Sequence, residues 1–254
     1  MAMPTLPQGM SHGERLEMAR ALADHILEIH GEAVLAVFVT SSTARGLDRA
    51  HSDLELTAVV RDGVEVDEKA YVYRGILVEI EYPQASAILK DTGHVTRRWP
   101  LTAGEYSERI TLFERDGWLR RLDQAIAERD ATDFSRGLHF ATMVLIECRD
   151  KVRNAHRARD DLDRRVSAFW VAENAALLVL FLNRRPVTTT SQMFRQAFEC
   201  PEQPPDFQRQ VEVLLGLTPA DASAVAEVAE RLTADLVEIV EKRGITLESA
   251  ELIP

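Results

Sequence analysis

The chain has 254 residues, a formal net charge of −11 and two cysteines, Cys148 and Cys200, far apart and in no metal-ligand spacing. That length supports one large or two modest domains whose core needs no disulfide or metal to fold. The acidic balance argues against a nucleic-acid partner, whose affinity is built on phosphate neutralisation by Lys and Arg, and favours a small cationic one. With no run of about 18 apolar residues and no apolar core of signal-peptide length at the start, the expectation is a cytoplasmic protein without a membrane partner.

In chain order, Ser11 and Glu14 form a capping box. Leu16, Ala19, Leu22, Ile26 and Ile29 then recur at helical spacing as far as His30, and Gly31 stops the run. Val34–Val39 is a short β-rich apolar run that predicts a buried strand. A loop of small and charged residues, Thr40 to Ser52, precedes a second strand from Asp53 to Val60. Two further runs, Tyr71–Tyr73 and Ile76–Tyr82, flank Arg74-Gly75 as a hairpin. Pro83 opens a short helix to Lys90, a strand covers Ile110–Phe113, and a helix runs from about Trp118 to Glu128. Trp99-Pro100 reads as the turn that closes this first half.

Beyond Asp130 the strand-like runs cease. Amphipathic segments follow at about Asp133–Arg159, Asp161–Asn183, Gln192–Cys200 continuing into Phe207–Leu215, and Ala220–Arg243. Strands with helices followed by helices alone is an α+β pattern: a mixed-sheet domain over residues 1–130 and an all-helical bundle over 131–254.

The chemistry is concentrated between the first two strands. Asp53 and Glu55 are two apart on a strand, so their side chains leave the same face. Glu79 lies on another strand and joins them if the two strands are neighbours. Three clustered carboxylates suit a hard divalent cation such as Mg²⁺ that also takes phosphate oxygens. Ser41 and Ser42 in the preceding turn offer hydroxyl and amide groups to a triphosphate, and Arg45 offers charge. Asp-x-Glu alone is common by chance, and alternating glutamates also suit a solvated strand face. Further along, Glu147 and Lys151 share a helix face, with Glu147 following Val144-Leu-Ile146 in an apolar setting expected to raise its pKa.

These residues, in this order, resemble the kanamycin nucleotidyltransferase family of the DNA-polymerase-β-like nucleotidyltransferase superfamily. The resemblance is carried by the Ser42-to-Arg45 turn, Ser52-Asp-Leu-Glu55, Val78-Glu-Ile80, Trp99-Pro-Leu-Thr102, the segment with Glu147, Lys151 and Arg153-Asn154, and Thr189-Thr-Ser191. It implies a nucleotidyltransferase domain followed by the helical domain. It also implies metal ligation by Asp53, Glu55 and Glu79, phosphate contacts from Ser42, Arg45 and Lys151, a nucleotide contact from Thr190, and Glu147 as general base. A nucleoside triphosphate is the implied co-substrate, an aminoglycoside the implied acceptor, and a homodimer with shared active sites the implied assembly. Two positions depart from the family pattern: Ser41 replaces a glycine, and Met143 replaces an acidic residue that meets the antibiotic's amines. The alternatives kept beside this are the same chemistry on another acceptor and a non-catalytic nucleotidyltransferase-like partner module.

Overall fold

The computed structural model describes residues 9–247, which divide into two compact units. The first comprises 9–94 with Ala103–Thr132; the second comprises Val95–Thr102 and the residues from Asp133 onward.

The first unit begins with α1 (His12–His30), whose capping box forms as the sequence predicts. It continues through β1 (Val34–Val39), the four-residue α2 (Ser41–Ala44), β2 (Leu54–Val60), β3 (Lys69–Tyr73), β4 (Ile76–Glu81) and α3 (Ala85–Thr92). The chain then crosses into the second unit for α4 (Trp99–Thr102) and returns for β5 (Ile110–Glu114) and α5 (Trp118–Asp130). The strands form one mixed sheet in the order β3-β4-β2-β1-β5. The β2–β4 pair is parallel and the other pairs are antiparallel.

Both faces of the sheet centre are covered, which is why all six residues of β1 are buried. On one face Ala19, Ala23 and Ile26 of α1 pack on Val37, Val39, Leu54, Leu56, Val78 and Ile80. On the other, Ile88 of α3 and Trp118, Leu122 and Ile126 of α5 pack on Leu35, Phe38 and Val59. Since strand side chains alternate, placing Leu54, Leu56, Val78 and Ile80 beneath α1 sends Glu55 and Glu79 to the opposite face. At the far edge β3 is exposed along its whole length.

The second unit holds α6 (Ser135–Ala158), α7 (Asp161–Leu182), α8 (Met193–Phe198), α9 (Phe207–Leu214) and α10 (Ala222–Lys242). Asp160 and Asp221 cap α7 and α10 by accepting the amide hydrogens of Asp163 and Ala224. The centre of the unit is α7, buried continuously from Ala175 to Leu182. Among the described residues α7 is the one helix long and apolar enough to cross a membrane, but 61% of that stretch is buried within the protein. It therefore reads as a core helix: side chains from the neighbouring helices take up the apolar surface that a lipid-facing helix would expose.

Trp99 does not close the first unit, as its Trp-Pro sequence suggests. It stacks on Phe181 of α7 at 5.6 Å and meets Phe134 edge-on at 4.9 Å. Burying an indole against two rings outweighs the local turn signal of Trp-Pro, and the segment follows its aromatic anchor into the helical unit.

Candidate active site

The parallel register of β2 and β4 sets Glu55 directly beside Glu79. Asp53 lies two residues before Glu55, at the mouth of β2, and so projects from the same face. The three half-buried carboxylates bring ligand oxygens within 4.8 Å of one another. Burial raises the pKa of Glu55, and the charges of Asp53, Glu79 and Glu81 raise it further, against the opposing pull of a hydrogen bond from the Ser41 hydroxyl. The donor set is therefore all hard oxygen, gathered to one point and electrostatically unfavourable while it holds no positive charge, which is what a Mg²⁺-type ion matches.

The loop that delivers Asp53 is tied down from behind. Arg15 of α1 is fully buried and pairs with Asp48, whose side chain is 2% exposed. The same guanidinium donates to the carbonyl oxygens of Arg49 (3.0 Å) and Ser52 (3.1 Å). The Ser52 hydroxyl accepts the Arg49 amide at 2.9 Å. Sequence reading missed this clamp. The available signal was an arginine at position 15, in register with the buried Ala19, Ala23 and Ile26 of an amphipathic helix. We expect Arg15→Ala to reduce stability by about 3–5 kcal/mol, because it removes the buried partner of the Asp48 carboxylate, leaving the half-exposed His12 at 2.7 Å, and frees the Arg49 and Ser52 carbonyl oxygens of their donor. A denaturant titration measures this, and a loss below about 1 kcal/mol would show the pair to be no more than a surface contact.

The turn between β1 and β2 carries Ser41, Ser42 and Arg45. Ser41 adopts a left-handed backbone, φ 56°, and starts α2; Ser42 follows it, half-buried. Arg45, expected to face a triphosphate, donates from Nε to Glu108 at 2.8 Å and from Nη2 to the Gly104 carbonyl at 2.6 Å. Its guanidinium is thus held within the first unit, although Glu108 itself is well exposed. Glu105 and Tyr106, beside this loop, were not singled out from the sequence. Burial raises the pKa of both, with the Glu81 charge adding to the shift in each.

In the helical unit, Glu147 and Lys151 form an ion pair across one turn of α6 at 2.8 Å. The expected rise in the pKa of Glu147 is not found. The residue is exposed, because Leu145 and Cys148 occupy the buried side of α6, and the hydrogen bond and charge of Lys151 lower its pKa. The two residues line a cavity of about 280 Å³ with Arg97, Arg98, Trp170 and Glu173. Lys151 Nζ also lies 5.2 Å from the Trp170 ring centroid. Met143 lies one turn before Glu147 on the same helix, and Thr190, exposed, begins a short 3₁₀ turn ahead of α8.

Comparison with known proteins adds three findings. The model of the KNTase C-terminal domain matches residues 117–246, just over half of the chain. Over 250 residues the chain is 22% identical to the aminoglycoside nucleotidyltransferase (4') of Staphylococcus aureus, covering 96% of this chain and 97% of that protein. A protein of the same name from a Bacillus species matches at the same level. Among solved structures, a nucleotidyltransferase-like protein from Exiguobacterium sibiricum 255-15 aligns with a TM-score of 0.55 at 17% identity, over 89% of this chain and 75% of that one. This last likeness is one of fold.

Proposed function

The chain belongs to the KNTase C-terminal domain family, and on that footing we propose that it is a Mg²⁺-dependent nucleotidyltransferase. In this reading it moves a nucleoside monophosphate from ATP or another nucleoside triphosphate to a hydroxyl of an aminoglycoside, releasing pyrophosphate. The observation that carries the proposal is the convergence of Asp53, Glu55 and Glu79 on one point of the sheet face. The names of the 22%-identical relatives support the acceptor class.

Asp53, Glu55 and Glu79 are the residues that would hold the cation. Bound there, Mg²⁺ supplies positive charge for the triphosphate oxygens and the departing pyrophosphate. We assign the phosphate contact in the β1–β2 turn to Ser41 and Ser42, both half-buried at the start of α2. Arg45 contributes positive charge to the phosphates, with Glu108, the exposed member of its ion pair, as the partner it would exchange. Lys151 contributes a second positive charge, and Thr190 a contact to the nucleotide. Glu147 accepts the proton of the acceptor hydroxyl. Being ionised well below neutral pH, it is ready as a base, and the neighbouring Lys151 both keeps it so and steadies its position. The acidic surroundings of the first unit favour an acceptor bearing amines. Two copies sharing their sites, as the resemblance implies, complete the assembly, and the cytoplasm, where nucleoside triphosphates are abundant, is its setting.

Incubating the protein with ATP, Mg²⁺ and a panel of aminoglycosides tests this reading. Pyrophosphate should appear together with a nucleotidylated antibiotic. Turnover with no aminoglycoside product would shift the acceptor to another hydroxylated molecule, a reading favoured by the thioether of Met143 where the family places an acid. An absence of metal-dependent nucleotide binding in calorimetry would instead leave a partner module without catalysis.

A further inference from the structure

Resting on the reading of the chain as a nucleotidyltransferase with Glu147 as its base, we propose that Arg97 and Arg98 are phosphate-binding residues of the same reaction. With Lys151 they form an oxyanion subsite in the helical unit. It takes phosphate oxygens of the triphosphate and keeps hold of them as pyrophosphate departs.

The starting point is the detour that the chain makes between α3 and β5. Val95–Thr102 belongs to the helical unit, although the residues on both sides of it belong to the first. Trp99 fixes the detour by stacking on Phe181 and meeting Phe134 edge-on. The Val187 amide donates to the Pro100 carbonyl at 2.6 Å, and the amides of Leu101 and Thr102 donate to the Arg98 carbonyl at 2.9 and 3.3 Å. The Arg98 amide itself donates to the Thr96 hydroxyl at 3.2 Å. On α6, Gly137 leaves room for this packing, since a Cβ there would lie 2.6 Å from the Phe181 ring and 3.1 Å from Val95. The backbone is thus held on both sides of Arg97 and Arg98, while both residues are exposed.

The anchoring delivers charge. Arg97 and Arg98 line the cavity of about 280 Å³ that also holds Glu147 and Lys151. Its walls carry three cations, Arg97, Arg98 and Lys151, against two carboxylates, Glu147 and Glu173, in a chain whose formal net charge is −11. Glu147 and Lys151 neutralise each other at 2.8 Å. Among the described residues, neither arginine side chain has a hydrogen bond or an ion pair. The Lys151 hydrogen bond and charge lower the pKa of Glu147 most, and the Arg97 charge adds to them. Two forked, permanently charged donors beside a base suit phosphate oxygens, which a guanidinium meets with two parallel hydrogen bonds. The same charges repel an amine, so of the two substrates it is the triphosphate that this wall fits. In the reaction the acceptor oxygen bonds to the α-phosphorus and its proton passes to Glu147. The bond from that phosphorus to the bridging oxygen breaks, and its electron pair leaves on pyrophosphate. Two guanidinium groups stabilise the charge that grows there.

Pyrophosphate, titrated by calorimetry into the full chain with Mg²⁺ present, tests the assignment. Wild type should bind it, and the Arg97→Ala/Arg98→Ala double variant should bind at least about 10-fold more weakly, the scale of losing hydrogen bonds to charged groups. The thermal midpoint of that variant should stay near wild type, since both residues are exposed. Arg120→Ala/Arg121→Ala removes the same charge from exposed positions on α5 and should leave the affinity unchanged. Wild-type affinity in the first double variant, or an equal loss in the second, overturns the subsite, as does a rise in KM for the acceptor alone. A wild-type protein that binds no pyrophosphate also overturns it, and the transferase reading then stands if ATP is still turned over with an acceptor. Pyrophosphate binding that depends on Arg97 and Arg98, in a protein that transfers no nucleotide to any acceptor, upholds the subsite and removes the transferase reading.

Discussion

Asp53→Asn should lower kcat for nucleotidyl transfer by at least about 100-fold, the scale of removing a group that stabilises transition-state charge. The same substitution should leave the metal-free protein as stable as wild type or more so, with a midpoint higher by up to about 2–4 °C, the shift that roughly 1 kcal/mol produces in a chain of this size. Both effects follow from one arrangement. Three carboxylates with oxygens within 4.8 Å of one another repel, and burial adds to the difficulty at Glu55. Neutralising one of them relieves the fold and removes the ligand.

The same arrangement sets a pH dependence. The pKa of Glu55 is raised above its usual 4.5, so the folded protein holds that proton more tightly than the unfolded chain does. Its contribution favours the fold at acid pH and is lost as pH rises from the ordinary glutamate range through the raised value. Millimolar Mg²⁺ should restore the loss. Thermal scans across pH with and without the ion measure this, and the reading of the site fails if Asp53→Asn retains wild-type turnover or if added Mg²⁺ leaves the midpoint unchanged at neutral pH.

The second large effect is expected in the helical unit. Glu147→Gln should reduce kcat by about 10²–10⁴-fold, as for loss of a general base. Lys151→Ala should move the acid limb of the kcat/KM profile to higher pH. The hydrogen bond and charge of Lys151 hold Glu147 below the usual glutamate value, so wild-type activity declines only as pH falls through that lowered value. Without the lysine, Glu147 takes up its proton earlier. Pairs of this kind are common on helix surfaces, and if the pair does nothing but stabilise α6, neither substitution will change turnover or the profile.

Much of the architecture is written in local patterns. The capping box at Ser11, the apolar spacing of α1, the Arg74-Gly75 hairpin and the four helical segments after Asp130 all occupy the predicted stretches to within a few residues. Those features depend on neighbours in sequence, which a single chain displays directly. What stayed hidden depends on partners distant in sequence. The adjacency of β2 and β4 was a condition that the sequence posed without settling. The Arg15–Asp48 clamp joins residues 33 apart, and Arg45 reaches Glu108 across 63. Trp99 follows Phe181, 82 positions later, away from the strand that its own segment precedes. The environment of Glu147 was misread for a related reason. Three apolar residues before it suggest burial, but only Leu145 of them is buried, and at 100° per residue it sits on the opposite side of the helix from the glutamate, which faces solvent. Ser41 shows a further limit, because a dihedral angle leaves no mark in composition or periodicity.

The parallel pairing of β2 with β4 has a consequence for how this architecture tolerates change. Glu55 and Glu79 are direct partners across the ladder, so the gap between their backbones is the pitch of the sheet itself, about 4.8 Å. Main-chain hydrogen bonding holds that gap. The connection from Val60 to Ile76, including the exposed outer strand, only has to bring the chain back to the right row. Insertions or deletions along it should therefore leave the acid pair in step, while slipping β4 by a single residue would turn Glu79 into the α1 interface and put a valine or an isoleucine in its place.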